Sequence, residues 1–200
     1  REGPVIEVMY KVVGRGTALL AEARPGDRVR VVGPLGRGFP LPARGERALL
    51  VGGGTGIASL YDLALQAAVE ARVTVLLGAG RAVDLMGRCD FEALPITVAL
   101  ATEDGSAGRR GLVTELLEQA LAGDPSARVY AGGPNAMRRR AAEIAASFRA
   151  TCHVSLENRM ACGVGICLGC AVSSPDGGFQ LVCRDGPVFE QTSLAWEGVP

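Results

Sequence analysis

The chain has 200 residues, which is enough for one full domain with smaller attachments. Its 21 basic and 21 acidic residues cancel, so net charge gives no support to binding of nucleic acid or of an anionic membrane. No apolar run in the sequence reaches the length of a membrane-spanning helix, and no signal peptide is visible. We therefore expect a cytoplasmic protein without nucleic-acid or membrane partners.

The first part of the chain is predicted to be a small β-rich segment. In chain order its elements are a strand over residues 5–13, a helix over 17–23, a strand over 28–32 and a glycine- and proline-rich connector over 33–42. A domain boundary is expected near Gly45. Such a segment is too short to close a barrel or a sandwich, so we expect it to pack as a fragment or to belong to a larger domain.

Strands and helices alternate from Arg47 onwards. The predicted strands cover residues 48–51, 73–77, 96–100, 129–131 and 152–156, and the predicted helices cover 57–71, 111–122 and 135–146. This βαβ alternation predicts a mostly parallel, doubly wound sheet, which the strand over 152–156 is expected to close. The cysteine-rich tail is expected to form a further small unit from about Glu157.

Several loops have the composition of nucleotide-binding turns. Glycine permits close backbone approach, and a helix N-terminus directs N–H groups at a pyrophosphate. Ligands of open α/β folds bind where the carboxyl ends of the strands meet. The candidate nucleotide-binding residues at these strand ends are Gly52, Gly53, Gly54, Thr55, Gly56, Asp104, Gly132, Gly133 and Pro134. In the first segment, Gly14 and Gly16 flank a turn in which Thr17 is expected to cap the following helix.

Four cysteines near the C-terminus are the most specific signal. Cys162, Cys167 and Cys170 follow the C-x4-C-x2-C spacing of plant-type [2Fe–2S] ferredoxins, and Cys183 supplies the fourth thiolate that two irons need. Structural zinc sites usually carry two C-x2-C pairs or two histidines, and this chain has one such pair and one histidine. The spacing favours [2Fe–2S], with zinc or disulfides as alternatives.

The remaining candidate side chains are predicted to be structural. Cys89 and Cys152 are expected to be ordinary buried thiols, and His153 a structural histidine beside a strand. The arginines at 138–140 are expected to form a solvated helix face. Neither a Ser-His-Asp set nor a pair of carboxylates stands out, so hydrolytic chemistry has no support and no catalytic residue is assigned.

Taken together, the motifs resemble the ferredoxin reductase family and, within it, the electron transfer subunits of dihydroorotate dehydrogenase B. The matching segments span essentially the whole chain: residues 10–17, 33–39, 52–58, 104–106 and 157–162 with the cysteines that follow. A cysteine tail attached to a reductase core is the most specific part of the resemblance, because ordinary reductases lack it.

The resemblance implies a ferredoxin-reductase-like α/β fold with a parallel sheet. A partial antiparallel β flavin domain would cover residues 1–45, an NAD(P)-binding domain 46–156 and a small [2Fe–2S] unit 157–200. The family's Arg-x-Tyr/Phe/Leu-Ser flavin motif would precede Val5 and does not occur in this chain. The N-terminal part of the flavin domain is therefore expected to be absent.

The resemblance also implies a function. FAD would contact Gly14, Gly16 and Thr17, and NAD(H) would lie along the glycine turns and Asp104. Electrons would pass between NAD(H) and the FMN of a dihydroorotate dehydrogenase catalytic subunit, through FAD and the [2Fe–2S] cluster, in pyrimidine biosynthesis. The two kinds of subunit would form a heterotetramer, and the chain would not oxidise dihydroorotate alone.

Two other functions remain open from the sequence. The same cofactors serve the small subunits of NADPH:ferredoxin oxidoreductases and sulfhydrogenases, and a non-catalytic module could bind zinc through its cysteines. The choice between NADH and NADPH is open as well. Arg81 follows the second strand of the α/β domain, where it would suit a 2′-phosphate, and no acidic residue stands at that strand end to favour NADH.

Overall fold

The computed structural model describes residues 5–199, so residues 1–4 and 200, at the outer ends of the predicted first and last domains, lie outside it. Its described residues group into two compact units, one ending at Pro34 and the other beginning at Leu35. The division into domains at 45 and 156 stays a prediction.

The first unit contains one regular element among its described residues, the helix α1 (Arg15–Ala21). Residues 5–13 and 28–32 are irregular, so the two strands predicted there were wrong. Their alternating apolar side chains are largely exposed, as at Ile6 and Val13, which are 79% and 83% accessible. A strand is stabilised by pairing with a neighbour, and none of the described strands pairs with these segments. The helix starts two residues earlier than predicted.

The second unit is built on a seven-stranded sheet with helices on both faces. Its strands are β1 (Arg47–Gly53), β2 (Arg72–Ala79), β3 (Thr97–Thr102), β4 (Arg109–Arg110), β5 (Arg128–Gly132), β6 (Cys152–Ser155) and β9 (Val188–Glu190). Its helices are α2 (Ala58–Ala67), α3 (Arg88–Glu92), α4 (Val113–Gly123) and α5 (Asn135–Ser147). A hairpin of β7 (Ala171–Ser173) and β8 (Phe179–Leu181) stands apart from the sheet.

The strand order is β4-β3-β2-β1-β5-β6-β9, and every pair except β6–β9 is parallel. This confirms the predicted doubly wound sheet. Side chains of β1 alternate between the two faces, so Leu49 and Val51 pack with residues of α4 and α5 while Ala48 and Leu50 pack with residues of α2. Both faces are covered, which is why β1 is almost continuously apolar.

The cysteine-rich tail is part of this structure. The strand β9 pairs antiparallel with β6, so the prediction that residues 152–156 close the sheet was wrong. Val172, Leu181 and Phe189 of the tail share one apolar core with the strands and helices before them. The tail therefore buries apolar side chains in the same core as the α/β sheet. No helix in the described part of the chain is long and apolar enough to cross a membrane.

Candidate functional site: a nucleotide-binding sheet edge and a cysteine loop

Two glycine loops are packed against each other at the carboxyl edge of the sheet. The strand β1 runs into a short 3-10 helix, Gly54–Ile57, and β5 ends at Gly132. A Cβ added at Gly56 would overlap the backbone of Gly132 and Gly133, and one at Gly133 would stand 2.7 Å from the carbonyl oxygen of Gly53. Because only glycine allows this approach, the two predicted turns pack directly against each other, with Gly56, Gly132 and Gly133 buried and Gly54 and Thr55 partly exposed.

The strand order places these loops at the switch point of the sheet. From β1 the chain continues to β2 and β3 on one side, and it returns to β5 and β6 on the other. In such sheets a dinucleotide binds across the crevice where the order reverses. Asp104 follows β3 and therefore belongs to the other half of the edge from Gly132, Gly133 and Pro134. The predicted nucleotide residues thus lie along one edge without forming a single cluster.

A groove with a volume of about 300 Å³ opens at the β6 end of this edge. Its walls include Phe39, Leu63 of α2, Ser155 at the end of β6 and Val188 at the start of β9. Ser59, Asp62 and Gln66 of α2 also line the groove, so polar and apolar side chains share its walls. The groove lies on the half of the edge that continues into the cysteine segment.

In the first unit, the predicted flavin residues form the N-terminal turn of α1. The hydroxyl of Thr17 accepts hydrogen bonds from the N–H groups of Val13 (2.9 Å) and Gly14 (3.2 Å). Thr17 is the third residue of the helix, so it caps the helix from within and does not precede it as an N-cap residue. The first backbone hydrogen bond of the helix runs from Ala18 N to Gly14 O (2.9 Å). The N–H groups at the start of the helix, before Ala18, therefore have no acceptor within the helix. Such groups suit a pyrophosphate.

The cysteines form two pairs, and the first pair is at the surface. The sulfur of Cys162 accepts a hydrogen bond from Cys167 N (3.5 Å), and the amides of Val164 and Ile166 also face it. These N–H groups, above all that of Cys167, lower the pKa of Cys162 to about 6. Cys162 is half-buried and Cys167 exposed. The loop thus favours a thiolate at Cys162, which is the form that binds metal.

The second pair is buried. The Sγ atoms of Cys170 and Cys183 are 3.3 Å apart, and Cys183 N donates to Cys170 Sγ (3.5 Å). Sharing a proton with Cys170, together with burial, raises the pKa of Cys183. Cys170 is 2% exposed and Cys183 is 5% exposed. Burial and the neighbouring thiol therefore disfavour a thiolate at Cys183 until a metal cation is bound beside it.

This arrangement agrees with a binuclear cluster. In a [2Fe–2S] cluster each iron takes two thiolates, and the loop offers two separate pairs. Oriented amides at Cys162 also supply the N–H···S hydrogen bonds that tune such clusters.

Cys89 and Arg138 differ from their predicted exposure, whereas Cys152 agrees with it. Cys89 is exposed on the short helix α3, so the prediction of a buried thiol is wrong there, whereas Cys152 is buried as expected and burial raises its pKa to about 12. Arg138 is 2% exposed, so the predicted solvated arginine face is wrong at that position. Its Nη1 donates to the carbonyl oxygen of Ser155 (2.7 Å), at the point where β6 leads into the cysteine segment.

His153 lies in β6 as the structural residue that was predicted. Its ring stacks on Tyr130 of β5 at 5.7 Å between centroids and 20° between planes. Burial lowers the pKa of His153 and raises that of Tyr130 to about 12. Neither Tyr130 Oη nor His153 Nδ1 has a hydrogen-bond partner in the described structure. This pair packs against the second unit's core and contributes no exposed acid or base.

Sequence reasoning missed Asn135, and it placed Ser106 in the segment 104–106 without finding its partner. Asn135, which begins α5, donates through its side-chain amide to Val199 O (3.1 Å), and so ties the glycine loop region to the end of the tail. Ser106 accepts a hydrogen bond from Ala82 N (2.7 Å) across 24 positions of sequence. Only the second has a local signal, because Asp104, Gly105 and Ser106 form a typical turn sequence.

These features define a class of protein: a nucleotide-binding oxidoreductase fold with an appended iron–sulfur loop. Comparisons with known proteins agree. Residues 50–143 match the family described as oxidoreductase NAD-binding domain, and residues 157–195 match the iron–sulfur cluster binding domain of dihydroorotate dehydrogenase B.

Whole-chain relatives narrow the assignment. The chain is 39% identical over 197 residues to the dihydroorotate dehydrogenase B (NAD(+)) electron transfer subunit of Desulforamulus reducens, covering 96% of this chain and 75% of the relative. It is 44% identical over 189 residues to that of Geobacillus thermodenitrificans, covering 91% and 71%. The chain belongs to the family of dihydroorotate dehydrogenase B electron transfer subunits.

The solved structure of an NADH-dependent reduced ferredoxin–NADP oxidoreductase is also similar. Its TM-score is 0.83 at 32% identity, over 95% of this chain and 68% of that one. A ferredoxin reductase of carbazole 1,9a-dioxygenase has a TM-score of 0.52 at 21% identity over 59% of this chain and 39% of that one, and supports the fold alone. The predicted ferredoxin-reductase-like fold is confirmed.

Proposed function

We propose that the chain is the electron transfer subunit of an NAD-dependent dihydroorotate dehydrogenase, which passes electrons between NAD(H) and a catalytic subunit. The observation that supports this proposal is that one chain contains both sites. A nucleotide-binding sheet edge leads, through β6, into a loop with two thiol pairs. Both the family matches and the named relatives support the cofactors [2Fe–2S], FAD and NAD(H).

When bound, FAD and the [2Fe–2S] cluster supply the exchange between a two-electron hydride and single electrons. The protein's own residues hold and orient them. Backbone groups at Gly52–Gly56 and Gly132–Gly133 would face the nicotinamide nucleotide, and the turn at Gly14–Thr17 would face the flavin pyrophosphate. Cys162 with Cys167, and Cys170 with Cys183, would each hold one iron.

The partner is proposed to be an FMN-containing dihydroorotate dehydrogenase catalytic subunit, with two copies of each subunit in a heterotetramer. An exposed Cys167 supports electron exchange with a protein outside this chain, because one end of the cluster site is at the surface. We further propose that the complex works in the cytoplasm, where a reducing environment keeps unpaired cysteines available as ligands.

The test is to purify the chain without oxygen and to measure iron, sulfide, zinc and the EPR spectrum after reduction. We expect about two irons and two sulfides per chain and a rhombic signal. Adding the FMN-containing catalytic subunit should then give dihydroorotate-dependent reduction of NAD⁺. A colourless protein with zinc would contradict the proposal, and so would dihydroorotate oxidation by this chain alone.

A cysteine variant sharpens the test. Cys167→Ser should remove electron delivery to the partner while NADH binding is kept, because Cys167 is exposed and contributes nothing to the buried core. Cys89→Ser is the matched control, since it removes an exposed thiol outside the loop. Full partner-linked turnover in Cys167→Ser would contradict the proposed route.

A second candidate function keeps the cofactors and changes the partner. The similarity to the NADH-dependent reduced ferredoxin–NADP oxidoreductase structure supports it. Here the chain would work with a ferredoxin- or NADP-reducing subunit. Failure of the catalytic dihydroorotate dehydrogenase subunit to bind a cluster-loaded chain would favour this alternative.

A further inference from the structure

Residues 35–37, in the glycine- and proline-rich connector, lie against the cysteine-rich tail. Arg37 N donates to Gly186 O (2.5 Å), and Val188 N donates to Arg37 O (3.4 Å). Gly186 follows Cys183 by three residues, although about 150 residues separate it from the connector. These bonds fix the connector to the chain that leaves the buried thiol pair.

Gly36 makes this close approach possible. Its φ is 69°, and a Cβ added to it would stand 2.2 Å from Gly186 O and 3.0 Å from Pro187 Cδ. Two backbone segments therefore touch at this point, and the left-handed conformation also disfavours a side chain. An alanine at this position would push Gly186 away from the connector.

The turn that holds Cys183 would transmit such a displacement. Leu181 O accepts hydrogen bonds from Arg184 N (3.0 Å) and Asp185 N (2.7 Å), and Asp185 Oδ2 accepts one from Leu181 N (2.8 Å). Hydrogen bonds therefore close the turn on both sides of Cys183. Because this turn leads directly into Gly186, a shift of Gly186 should move the sulfur of Cys183 as well.

The same connector also reaches the chain beside the surface pair of thiols. Leu35 Cδ1 lies 3.3 Å from the position that a Cβ would take at Gly163, which directly follows Cys162. Leu35 is 46% exposed, so this contact lies outside the buried core. One short segment therefore touches the chain next to Cys162 and the chain that follows Cys183.

We propose that residues 35–37 are positioning residues of the cluster site, which set the spacing between its two thiol pairs from outside the cysteine segment. They carry no thiol and ligate no iron. A binuclear cluster needs both pairs at a fixed separation, and the connector restrains the chain beside each pair. Loss of such supporting contacts commonly weakens metal binding by tenfold or more. The inference rests on the proposed function, because it assumes that the four cysteines hold a [2Fe–2S] cluster.

The test compares the wild-type chain, purified without oxygen, with Gly36→Ala and Leu35→Ala. An iron chelator should remove the cluster about tenfold faster from Gly36→Ala than from the wild type, and by a smaller factor from Leu35→Ala. The EPR signal of the reduced protein should be shifted in both variants, because it depends on the positions of the sulfurs around the irons. NADH binding, measured by titration calorimetry, should be unchanged.

Two variants serve as matched controls. Gly45→Ala controls for backbone strain, because Gly45 has a φ of 77° and open space around it. Leu65→Ala controls for the loss of an exposed leucine, because Leu65 is 47% exposed and lies on α2. Both controls should keep the cluster lifetime and the EPR signal of the wild type.

A wild-type EPR signal in Gly36→Ala overturns the inference even if the cluster is lost faster, because residues 35–37 would then stabilise the tail without positioning its sulfurs. If Gly36→Ala does not fold, the signal of Leu35→Ala decides in the same way. Equal changes in the control variants overturn the inference as well. All these outcomes leave the proposed function intact, whereas a wild-type chain that binds no cluster would contradict the proposed function together with the inference.

Discussion

The nucleotide-binding edge and the cysteine loop are both rich in glycine, but their glycines meet different constraints. At the edge, Gly56 is required by close packing, since any side chain there would overlap the backbone of the neighbouring loop. In the cysteine loop, Gly165 is required by its backbone conformation, with a φ of 81° and only side-chain atoms nearby. Leu168, with a φ of 59°, adopts the same left-handed region without being glycine.

The difference shows how each site is made. The edge is assembled by contacts between distant parts of the chain, such as that between Gly56 and Gly133. The exposed half of the loop is shaped locally, by turns that point amides at a sulfur. We therefore expect changes at the edge to damage folding and nucleotide binding together, and changes in the loop to damage cluster binding while nucleotide binding is kept.

The largest effect is expected for Gly56→Ala. Its Cβ would force apart the two glycine loops, so the free energy of unfolding should fall by about 3 kcal/mol and NADH binding should be lost. Urea denaturation and calorimetric titration measure both. Gly54→Asn is the control for the free energy of unfolding, because Gly54 has a φ of 56° and open space around it, a conformation that asparagine tolerates. An equal loss of unfolding free energy in the two variants would argue against the packing constraint.

A smaller effect is expected where the two regions join. Arg138→Ala removes the buried charged donor to Ser155 O, and the free energy of unfolding should fall by about 2 kcal/mol. The neighbouring Arg139→Ala removes an exposed arginine and should change it by less than about 0.5 kcal/mol. If Arg138→Ala is as stable as Arg139→Ala, the buried hydrogen bond does not hold β6 to α5.

In the loop, Gly165→Ala should cost about 1 kcal/mol through its left-handed backbone. Iron content and the EPR signal of the purified protein should fall, while NADH binding is unchanged. Gly169→Ala is the matched control, because an added Cβ there meets only Cys167 Sγ at an ordinary 3.6 Å. Loss of NADH binding in Gly165→Ala would contradict the separation of the two regions.

The smallest effect concerns pH. Burial lowers the pKa of His153, with Arg128 adding to the effect and Glu190 and Glu46 opposing it. The unfolded histidine, with a pKa of about 6.5, binds a proton before the folded one does, so stability should be lost as pH falls below that value. Urea denaturation at about pH 7.5 and 5.5 should show a weaker pH dependence in His153→Phe than in the wild type. The same dependence in both would assign the loss to other groups.

The sequence by itself determined the local elements and the chemistry. The helix predicted over residues 135–146 is α5, Asn135–Ser147, and each strand predicted between residues 48 and 131 is present with slightly different ends. The spacing of Cys162, Cys167 and Cys170 indicates a cluster without any knowledge of tertiary contacts. These predictions are reliable because hydrophobic periodicity, turn sequences and ligand spacing involve residues that are near each other in the chain.

Only the tertiary structure decided which distant parts meet. Nothing in the residues around Val188 shows that β9 would extend the sheet beside β6, or that Arg138 would be buried while Arg139 stays exposed. Likewise, the strands predicted in the first segment had a strand-like pattern but no pairing neighbour among the described residues. Strand pairing and burial depend on the surfaces that the rest of the chain presents. A local sequence pattern does not show what those surfaces are.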